Sequence, residues 1–471
     1  MDPCKTFRAW NPGEYVHQAV APADVLPEDD LVFFLLETVS RLDLSTLYSH
    51  YEREMRGAPP FDVAMMVTLL LYSYAVGVFS SRKIAAACER NLAFLAIVGA
   101  DRPDFRTISD FRKIHLDSLA DLFVQVLQIA GMAGLVKLGN IAIDGSKFKA
   151  NASRHQAMSY GYMQKEVVRL RAEIAALLGR AEKTDAEQDA ALGSRRGDEL
   201  PEELKRREDR LTVIEEAMQR LEQQAREKAD AERERRAAAD AEREAKGETR
   251  RGREPAPVSD EPADKAQTNF TDPEAKIMKN GKAFDYCYNA QAAVDDEHQI
   301  IVGAEVTSQA NDKQQAVPLA EAVLENLAAA GIDLPTEDDA PDGPPKKIPA
   351  TLDSGYFSAD NVTDLEDLGF DPHIATGRQK HNTPAPSETD DSPPESATAK
   401  ERMAHKLKTP KGRACYAKRK HIVEPVFGQM KHVRGFRQFL LRGLDNVAGE
   451  WKLVCLTHNL LKIWRSQYAL S

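Results

Sequence analysis

The chain has 471 residues, 42% of them hydrophobic, which allows two to four structural units and at least one large core. Its formal net charge of −11, taken alone, argues against a nucleic-acid-binding protein, because such domains are usually basic. Five widely spaced cysteines form no C-x-x-C pair, which excludes a disulfide or zinc framework, and no apolar stretch reaches membrane-spanning length.

The first 139 residues are predicted to be mainly helical. Apolar residues recur at helical spacing from Leu31 to Val39, and apolar stretches at 63–78 and 119–135 indicate buried helices. Ser81, and Thr107 or Ser109, are expected to be N-caps with basic residues close by. Such helix ends can dock on DNA phosphates, but a plain helical bundle with a basic rim explains the pattern equally well.

A short apolar run, Ile141 to Ile143, ends in Asp144-Gly145 and predicts a buried strand followed by a turn. From about 160 to 246 the chain is rich in charge and alanine. Heptad-like spacing there predicts two long helices, separated by a break at 193–201, that fold back as a coiled-coil hairpin. This insertion is interpreted either as an arm for dimerisation or DNA clamping, or as a spacer that packs only on itself.

After residue 257 the pattern becomes that of a mixed α/β unit. Strands are predicted at 284–294 and 299–307, a helix at 316–329, and a strand at 348–352 that ends in Asp353-Ser354-Gly355. A helix at 361–368, a brief strand at 373–375, a mobile loop at 383–397 and an apolar helix at 447–464 follow.

The segment from Lys400 to Arg442 reverses the charge balance. It holds thirteen Lys and Arg residues but only two acids, Glu401 and Glu424, which gives +11 by this count and leaves −22 for the rest of the chain. A block this basic in an acidic protein predicts a polyanionic partner.

Three acids stand out by position. Asp144 and Asp353 each end a predicted strand, and Glu424 lies in a predicted helix within the basic block. Converging carboxylates repel unless cations neutralise them, and hard oxygen ligands favour Mg²⁺ or Mn²⁺. Two such ions can catalyse an in-line phosphoryl transfer. The residues alone do not select these three acids, since other acids compete for the same role: Asp295, Asp296, Asp312 and Asp360.

Seven motifs together resemble the DDE transposases of bacterial insertion sequences. More narrowly, they resemble a subgroup with an InsH-type helical N-terminal domain and a long insertion in the catalytic domain. The motifs are Thr107-Ile108-Ser109-Asp110-Phe111-Arg112, Ile143-Asp144-Gly145-Ser146-Lys147, Thr271-Asp272-Pro273-Glu274-Ala275, Tyr288-Asn289-Ala290-Gln291, Ala310-Asn311-Asp312-Lys313, Asp353-Ser354-Gly355-Tyr356 and Val423-Glu424-Pro425-Val426-Phe427-Gly428.

The resemblance implies an α/β fold with an RNase H-like mixed-sheet catalytic core. The domains would be 1–139 (helical, DNA-binding), 140–159 with 265–471 (catalytic) and 160–264 (helical coiled-coil insertion). Asp144 would lie on the first strand, Asp353 on the fourth and Glu424 on a later helix, together holding two Mg²⁺ or Mn²⁺ ions. The implied activity is cleavage and strand transfer at terminal inverted repeats. The implied partners are transposon-end DNA, target DNA and a second copy of the chain, in the bacterial cytoplasm at the nucleoid.

The family motif Y-x2-R-x3-E-x6-K falls on Tyr416, Arg419, Glu424 and Lys431. The spacing from Glu424 to Lys431 fits, but four residues rather than three separate Arg419 from Glu424; Lys420 would restore that spacing and break the one to Tyr416. DNA contacts are predicted for six residues: Lys431, Arg419, Tyr416, Lys147, Arg112 and Arg434.

Two other functions compete with the transposase. A metal-dependent DNA nuclease would share the core and the acids but would not join strands. A non-enzymatic DNA-binding or scaffolding protein built on the coiled coil would leave the three acids dispensable and bind no metal.

Overall fold

The computed structural model describes residues 21–51, 59–192, 202–245, 247, 256–335, 347–377 and 396–468. Within these ranges, no helix is long and apolar enough to cross a membrane. Four of the five cysteines are described, and all four are free thiols, in agreement with the absence of a disulfide framework.

Seven helices form the N-terminal unit: α1 (Leu31–Arg41), α2 (Ser45–Ser49), α3 (Val63–Ala75), α4 (Ser81–Arg90), α5 (Leu92–Val98), α6 (Phe105–Ile114) and α7 (Leu116–Met132). The predicted N-caps are wrong. Ser80 precedes α4, and α6 begins after Asp104, whose carboxylate accepts a 2.7 Å hydrogen bond from the Thr107 amide. Helix α3 is apolar on nearly all sides because it is buried within the bundle.

The central sheet contains six strands: β1 (Ile141–Lys149), β4 (Lys276–Asn280), β5 (Ala283–Asp295), β6 (Ile301–Thr307), β7 (Ile348–Leu352) and β8 (Phe370–Ile374). Its main order is β6-β5-β1-β7-β8, and β4 also pairs with β5. Strand β1 is antiparallel to β5 and parallel to β7, and β7 is parallel to β8. This mixed sheet agrees with the predicted RNase H-like core. Among the five strands of the main order, without β4, β7 is the fourth in chain order.

The strands and helices of this unit largely follow the sequence pattern, but the turn predicted at Asp144-Gly145 is wrong: β1 continues through both residues to Lys149, because all of them stay paired with β5. Helix α10 covers Ala316–Ala329 and β7 covers Ile348–Leu352, both as predicted. The remaining helices are α11 (Ala359–Asp367), α12 (Ala399–Lys406), α13 (Pro410–Ala417), α14 (Arg419–Gly428), continued by a π-helical turn (Gln429–Val433), and α15 (Leu444–Tyr468). The loop predicted at 383–397 lies mostly outside the described residues.

Helix α15 joins the N-terminal helices to the sheet. It packs against α7 and α3 on one side and against β6 on the other. Trp451 is fully buried, and its indole N–H donates a 2.9 Å hydrogen bond to the carbonyl of Gln291 on β5. A large continuous apolar core therefore runs from the helical unit through the sheet.

Two long helices, α8 (Tyr160–Leu192) and α9 (Glu202–Ala245), follow β1 and precede β5 in the chain. They pack against each other, as the heptad-like spacing predicted. The predicted break at 193–201 lies outside the described residues. A two-stranded sheet, β2 (Ala157–Ser159) with β3 (Gln267–Asn269), closes the base of this arm. The arm has a small core of its own, separate from the main one: Tyr160, Met163, Val167, Leu170, Ile214, Ala217 and Leu221.

Candidate active site

Asp144 and Asp353 lie at the same edge of the sheet. Strands β1 and β7 run parallel with Ile143 opposite Leu352, so the next residue on each chain is an aspartate. Neighbouring strands are about 4.8 Å apart, which brings the two carboxyl groups close together. The charge of Asp353 accordingly raises the pKa of Asp144. The structure thus brings together two of the three predicted acids.

The Asp144 carboxylate is largely buried and has two hydrogen-bond donors. Oδ1 accepts from the Gly145 amide at 2.9 Å, and Oδ2 accepts from Nη1 of Arg419 at 2.9 Å. Burial raises the pKa of Asp144 to about 6, with a further increase from Asp353, although Arg419 acts in the opposite direction. A carboxyl group with a pKa shifted in this way, beside a second acid, is a candidate for a functional site.

Arg419 and Tyr416, which the motif spacing left in doubt, both reach this site. Only Lys418 separates the end of α13 from Arg419, the first residue of α14. From this position the Arg419 guanidinium forms an ion pair with Asp144. Tyr416 is hydrogen-bonded to Arg419, and burial raises the pKa of its phenol. Lys420, the alternative position for the basic residue of the motif, is exposed.

Glu424 is not grouped with the two aspartates. Its side chain is exposed on α14, whose opposite face is buried through Val423, Val426 and Phe427. Among the described residues, no three or more His, Cys, Asp or Glu side chains are close enough together to hold a metal ion. The geometry therefore contains a pair of acids rather than a complete triad.

Lys147 is on β1, three residues after Asp144, and Lys431, from the π-helical turn after α14, contacts the same strand. The Lys431 ammonium donates to Ser146 Oγ at 2.7 Å and to the Lys147 carbonyl at 2.8 Å, and it lies 4.2 Å from the centre of the Phe148 ring. Burial lowers the pKa of Lys431 to about 8. The Lys147 ammonium forms an ion pair of 3.2 Å with Asp312.

Arg112 and Arg434, both predicted to contact DNA, are buried. Arg112 donates to the Tyr74 hydroxyl and to the Phe79 carbonyl, each at 3.0 Å. Arg434 donates to Thr457 Oγ1 and to the Val454 carbonyl on α15. Both guanidinium groups thus serve interior packing, and their burial argues against the predicted phosphate contacts.

The other acids that competed for the catalytic role have separate explanations, except one. Asp295 is fully buried and accepts from the amides of Lys137 and Leu138, which fixes the turn that leads into β1. Asp296 forms an ion pair with Lys418, and Asp360 is exposed in the first turn of α11. Asp312 alone belongs to the surroundings of Asp144 and Asp353.

Two buried amides near Asp312 had no assigned role in the sequence analysis. Asn289 and Gln291 are fully buried on one face of β5, and both donate to the Asp312 carboxylate. The sequence does indicate these two residues, since their amide side chains interrupt the run of apolar and aromatic residues from Tyr286 to Val294. Buried amides are costly unless hydrogen-bonded, so they indicate a polar partner.

Two family models match parts of the chain. Residues 389–464, which contain Tyr416, Arg419, Glu424 and Lys431, match the family described as Transposase DDE domain. Residues 22–114 match the family described as Transposase domain (DUF772). No curated protein and no solved structure matches the chain. The two family matches, one near each end, support a DDE transposase of the insertion-sequence type.

Proposed function

We propose that this protein cleaves DNA at the terminal inverted repeats of an insertion sequence and joins the ends to target DNA by two-metal-ion phosphoryl transfer. The observation that carries the proposal is the Asp144–Asp353 pair, in which each acid directly follows the last paired residues of the parallel strands β1 and β7, in a chain whose residues 389–464 match a transposase DDE domain. The family implies an enzyme of DNA transposition, and the pair offers a place for its chemistry.

Asp144, Asp353 and Glu424 are the residues proposed to hold two Mg²⁺ or Mn²⁺ ions. Carboxylate oxygens are the ligands these hard cations prefer, and a cation would relieve the repulsion that raises the pKa of Asp144. Glu424 is included because the family motif assigns it this role and because it lies on α14, whose first residue, Arg419, contacts Asp144. Bound ions would activate the attacking water or 3′-hydroxyl and stabilise the leaving oxygen.

Arg419 is proposed to orient the scissile phosphate. A guanidinium is always charged and presents a planar set of donors that matches two phosphate oxygens. Arg419 uses Nη1 on Asp144, so a phosphate bound by its other donors would be held beside that acid. Tyr416, Lys147 and Lys431 would complete this basic side of the site.

The DNA backbone is proposed to lie across the basic segment 400–442. Several of its Lys and Arg side chains, on α12, α13 and α14 or in the short connections between them, are exposed: Lys400, Arg402, Lys408, Lys411, Arg413, Lys418 and Lys420. Contacts of this kind carry little sequence information but supply much of the affinity, which then falls steeply with salt. Transposon-end and target DNA would both use this surface, and two copies of the chain would pair the two ends.

The test uses the inverted repeats that flank the gene, as labelled duplexes, together with a supercoiled plasmid target and Mg²⁺. The wild-type protein is expected to yield nicked ends and joined product. Asp144→Asn and Asp353→Asn are expected to bind the ends but to yield neither, while Asp364→Asn, an exposed residue on α11, serves as control. Normal cleavage by either site variant would exclude the proposed site.

Cut ends without joined product would support the second candidate, a metal-dependent nuclease with the same acids. No cleavage by the wild-type protein or by any variant, with DNA binding retained, would instead favour a non-enzymatic DNA-binding protein. The control variant changes an exposed acid outside the site, so it separates loss of the site from a general effect of removing a carboxylate.

A further inference from the structure

The Asp312 carboxylate lies between Gly145 on β1, next to Asp144, and Gly355 in the turn after Asp353. It belongs to the loop between β6 and α10. A Cβ atom added to Gly145 would lie 2.9 Å from Asp312 Oδ1, and one added to Gly355 would lie 3.6 Å from Asp312 Oδ2. Gly145 directly follows Asp144, and Gly355 is two residues after Asp353. One carboxylate therefore faces both glycines, with one oxygen toward each.

Three donors hold Asp312 in this place. Its Oδ1 accepts from Asn289 Nδ2 at 2.6 Å, from Gln291 Nε2 at 2.9 Å and from Lys147 Nζ at 3.2 Å. Asn289 and Gln291 are fully buried on the same face of β5, so their amides are shielded from solvent and donate to this carboxylate. Charge-assisted bonds from rigid donors fix the position of the acid.

The same network reaches the turn after Asp353 by two routes. The Tyr356 hydroxyl donates to Gln291 Oε1, on the amide that also holds Asp312. Asn361 Nδ2 donates to the carbonyl of Lys313 at 2.7 Å and to that of Tyr356 at 2.6 Å. The Asp312 loop and the Asp353 turn are thus tied to each other from both sides.

A second observation points to a ligand at this place. Asn289 Oδ1 is buried and has no hydrogen-bond partner among the described residues. It faces Gly145, as Asp312 Oδ1 does. Buried acceptors are seldom left unpaired in folded proteins. A donor such as a water molecule bound to a divalent cation would satisfy this oxygen.

We propose that Asp312 is a positioning residue of the active site, which sets the separation of Asp144 and Asp353 and faces the hydration shell of the metal ions they bind. The inference rests on the proposed function, since it requires that the pair binds metal. It also gives the site a negative group beside β5, on a different element from the helix that supplies Arg419.

The test is a titration of the full-length protein with Mn²⁺ alone, without DNA, at a temperature well below that of unfolding. Electron paramagnetic resonance measures the free Mn²⁺ and so gives the binding affinity. Asp312→Asn keeps the shape and removes the charge, and the loss of such an outer partner is expected to weaken Mn²⁺ binding about 10- to 100-fold. Asp364→Asn is the matched control and is expected to bind as the wild type does. A purely structural role would lower the melting temperature but leave the affinity unchanged, and that result would overturn the proposal.

Two further variants keep the result unambiguous. If Asp312→Asn fails to fold, Asn289→Ala removes one neutral donor to Asp312 and is expected to weaken Mn²⁺ binding severalfold; unchanged affinity then overturns the proposal. Asp144→Asn and Asp353→Asn test the underlying site. If they bind Mn²⁺ normally, the proposed metal site is wrong; if they lose it and Asp312→Asn does not, only the role of Asp312 is wrong.

Discussion

Arg419 Nη1 donates a hydrogen bond of 2.9 Å to Asp144 Oδ2, across 275 positions of the chain. The bond connects the start of α14, in the basic segment, to the first strand of the sheet. It also sets two opposing influences on one carboxyl group, because burial raises the pKa of Asp144 while the guanidinium lowers it. These influences can be separated by changing Arg419 alone.

Arg419→Gln is expected to shift metal binding to higher pH. Without the guanidinium, Asp144 keeps its proton to a higher pH, and a carboxyl group must lose its proton to bind a cation. The midpoint of Mn²⁺ binding between pH 5 and 8 should therefore rise by about one pH unit. Arg413→Gln, an exposed change on α13, is the control. Equal midpoints for both variants would show that the ion pair is absent in solution.

Gly145→Ala is expected to disrupt the site without touching an acid. The added Cβ would overlap Gln291 Nε2 and lie 2.9 Å from both Asn289 Oδ1 and Asp312 Oδ1. Such overpacking typically costs about 1–3 kcal/mol, and here it would displace the donors to Asp312. Strand cleavage should fall at least tenfold. Gly428→Ala, at a helical position with nothing within 4 Å of the new atom, should retain full cleavage.

The sequence pattern predicted five of the described strands but not β2, β3 and β4, and the aspartates were selected by the family resemblance. The apolar run before Asp353 marks the end of β7, whereas β1 extends past Asp144 to Lys149; parallel pairing of β1 with β7 brings Asp144 and Asp353 together. Burial of basic residues could not be predicted in the same way. The partner of Arg112 is Tyr74, which in turn donates to Glu450 on α15, 376 residues from Tyr74, and no local pattern reports such a contact.

Asp295→Asn is expected to change the pH dependence of stability. Burial raises the pKa of Asp295 from 3.8 to about 6 in the folded state. Between these values the folded state holds more protons than the unfolded state, so the contribution of Asp295 to stability falls as the pH rises. Above pH 6 the loss is complete and amounts to about 3 kcal/mol.

The variant has no such titration. Its free energy of unfolding, minus that of the wild type, should therefore increase by up to about 3 kcal/mol from pH 4 to pH 7 in urea denaturation. Because Asn can accept from only one of the two amides held by Asp295, a constant offset is expected at every pH. A difference that does not vary with pH would contradict the assignment.

Arg112→Met is expected to affect stability rather than DNA binding. Arg112, Tyr74 and Glu450 form a buried hydrogen-bonded chain, and removing the cation leaves the Glu450 carboxylate uncompensated. Such a loss typically costs about 3–5 kcal/mol. Lys113→Met, an exposed change on the same helix, should cost little. DNA binding is measured under conditions in which both variants are folded. If the slope of log K against log salt concentration is smaller by about one for Arg112→Met, Arg112 contacts a phosphate instead.

Shortening the arm is expected to separate catalysis from pairing of the ends. Because the arm has its own small core, replacement of residues 176–205 by a Gly/Ser turn leaves that core and the ion pair between Arg171 and Glu215 in place. The melting temperature of the main domain and Mn²⁺ binding should not change. Exposed apolar side chains on the arm, Tyr162, Val168 and Val213, are consistent with contact to a second copy.

The point variant Val168→Lys tests that contact without changing the length of the arm, since the side chain is 71% exposed and takes no part in the core of the arm. Both changes are expected to abolish the complex that contains two transposon ends, as measured by sedimentation, and to reduce joined product while single-end binding persists. If the arm is only a spacer, paired complexes and joined product remain at wild-type levels in both variants, because nothing that contacts DNA or metal has been altered.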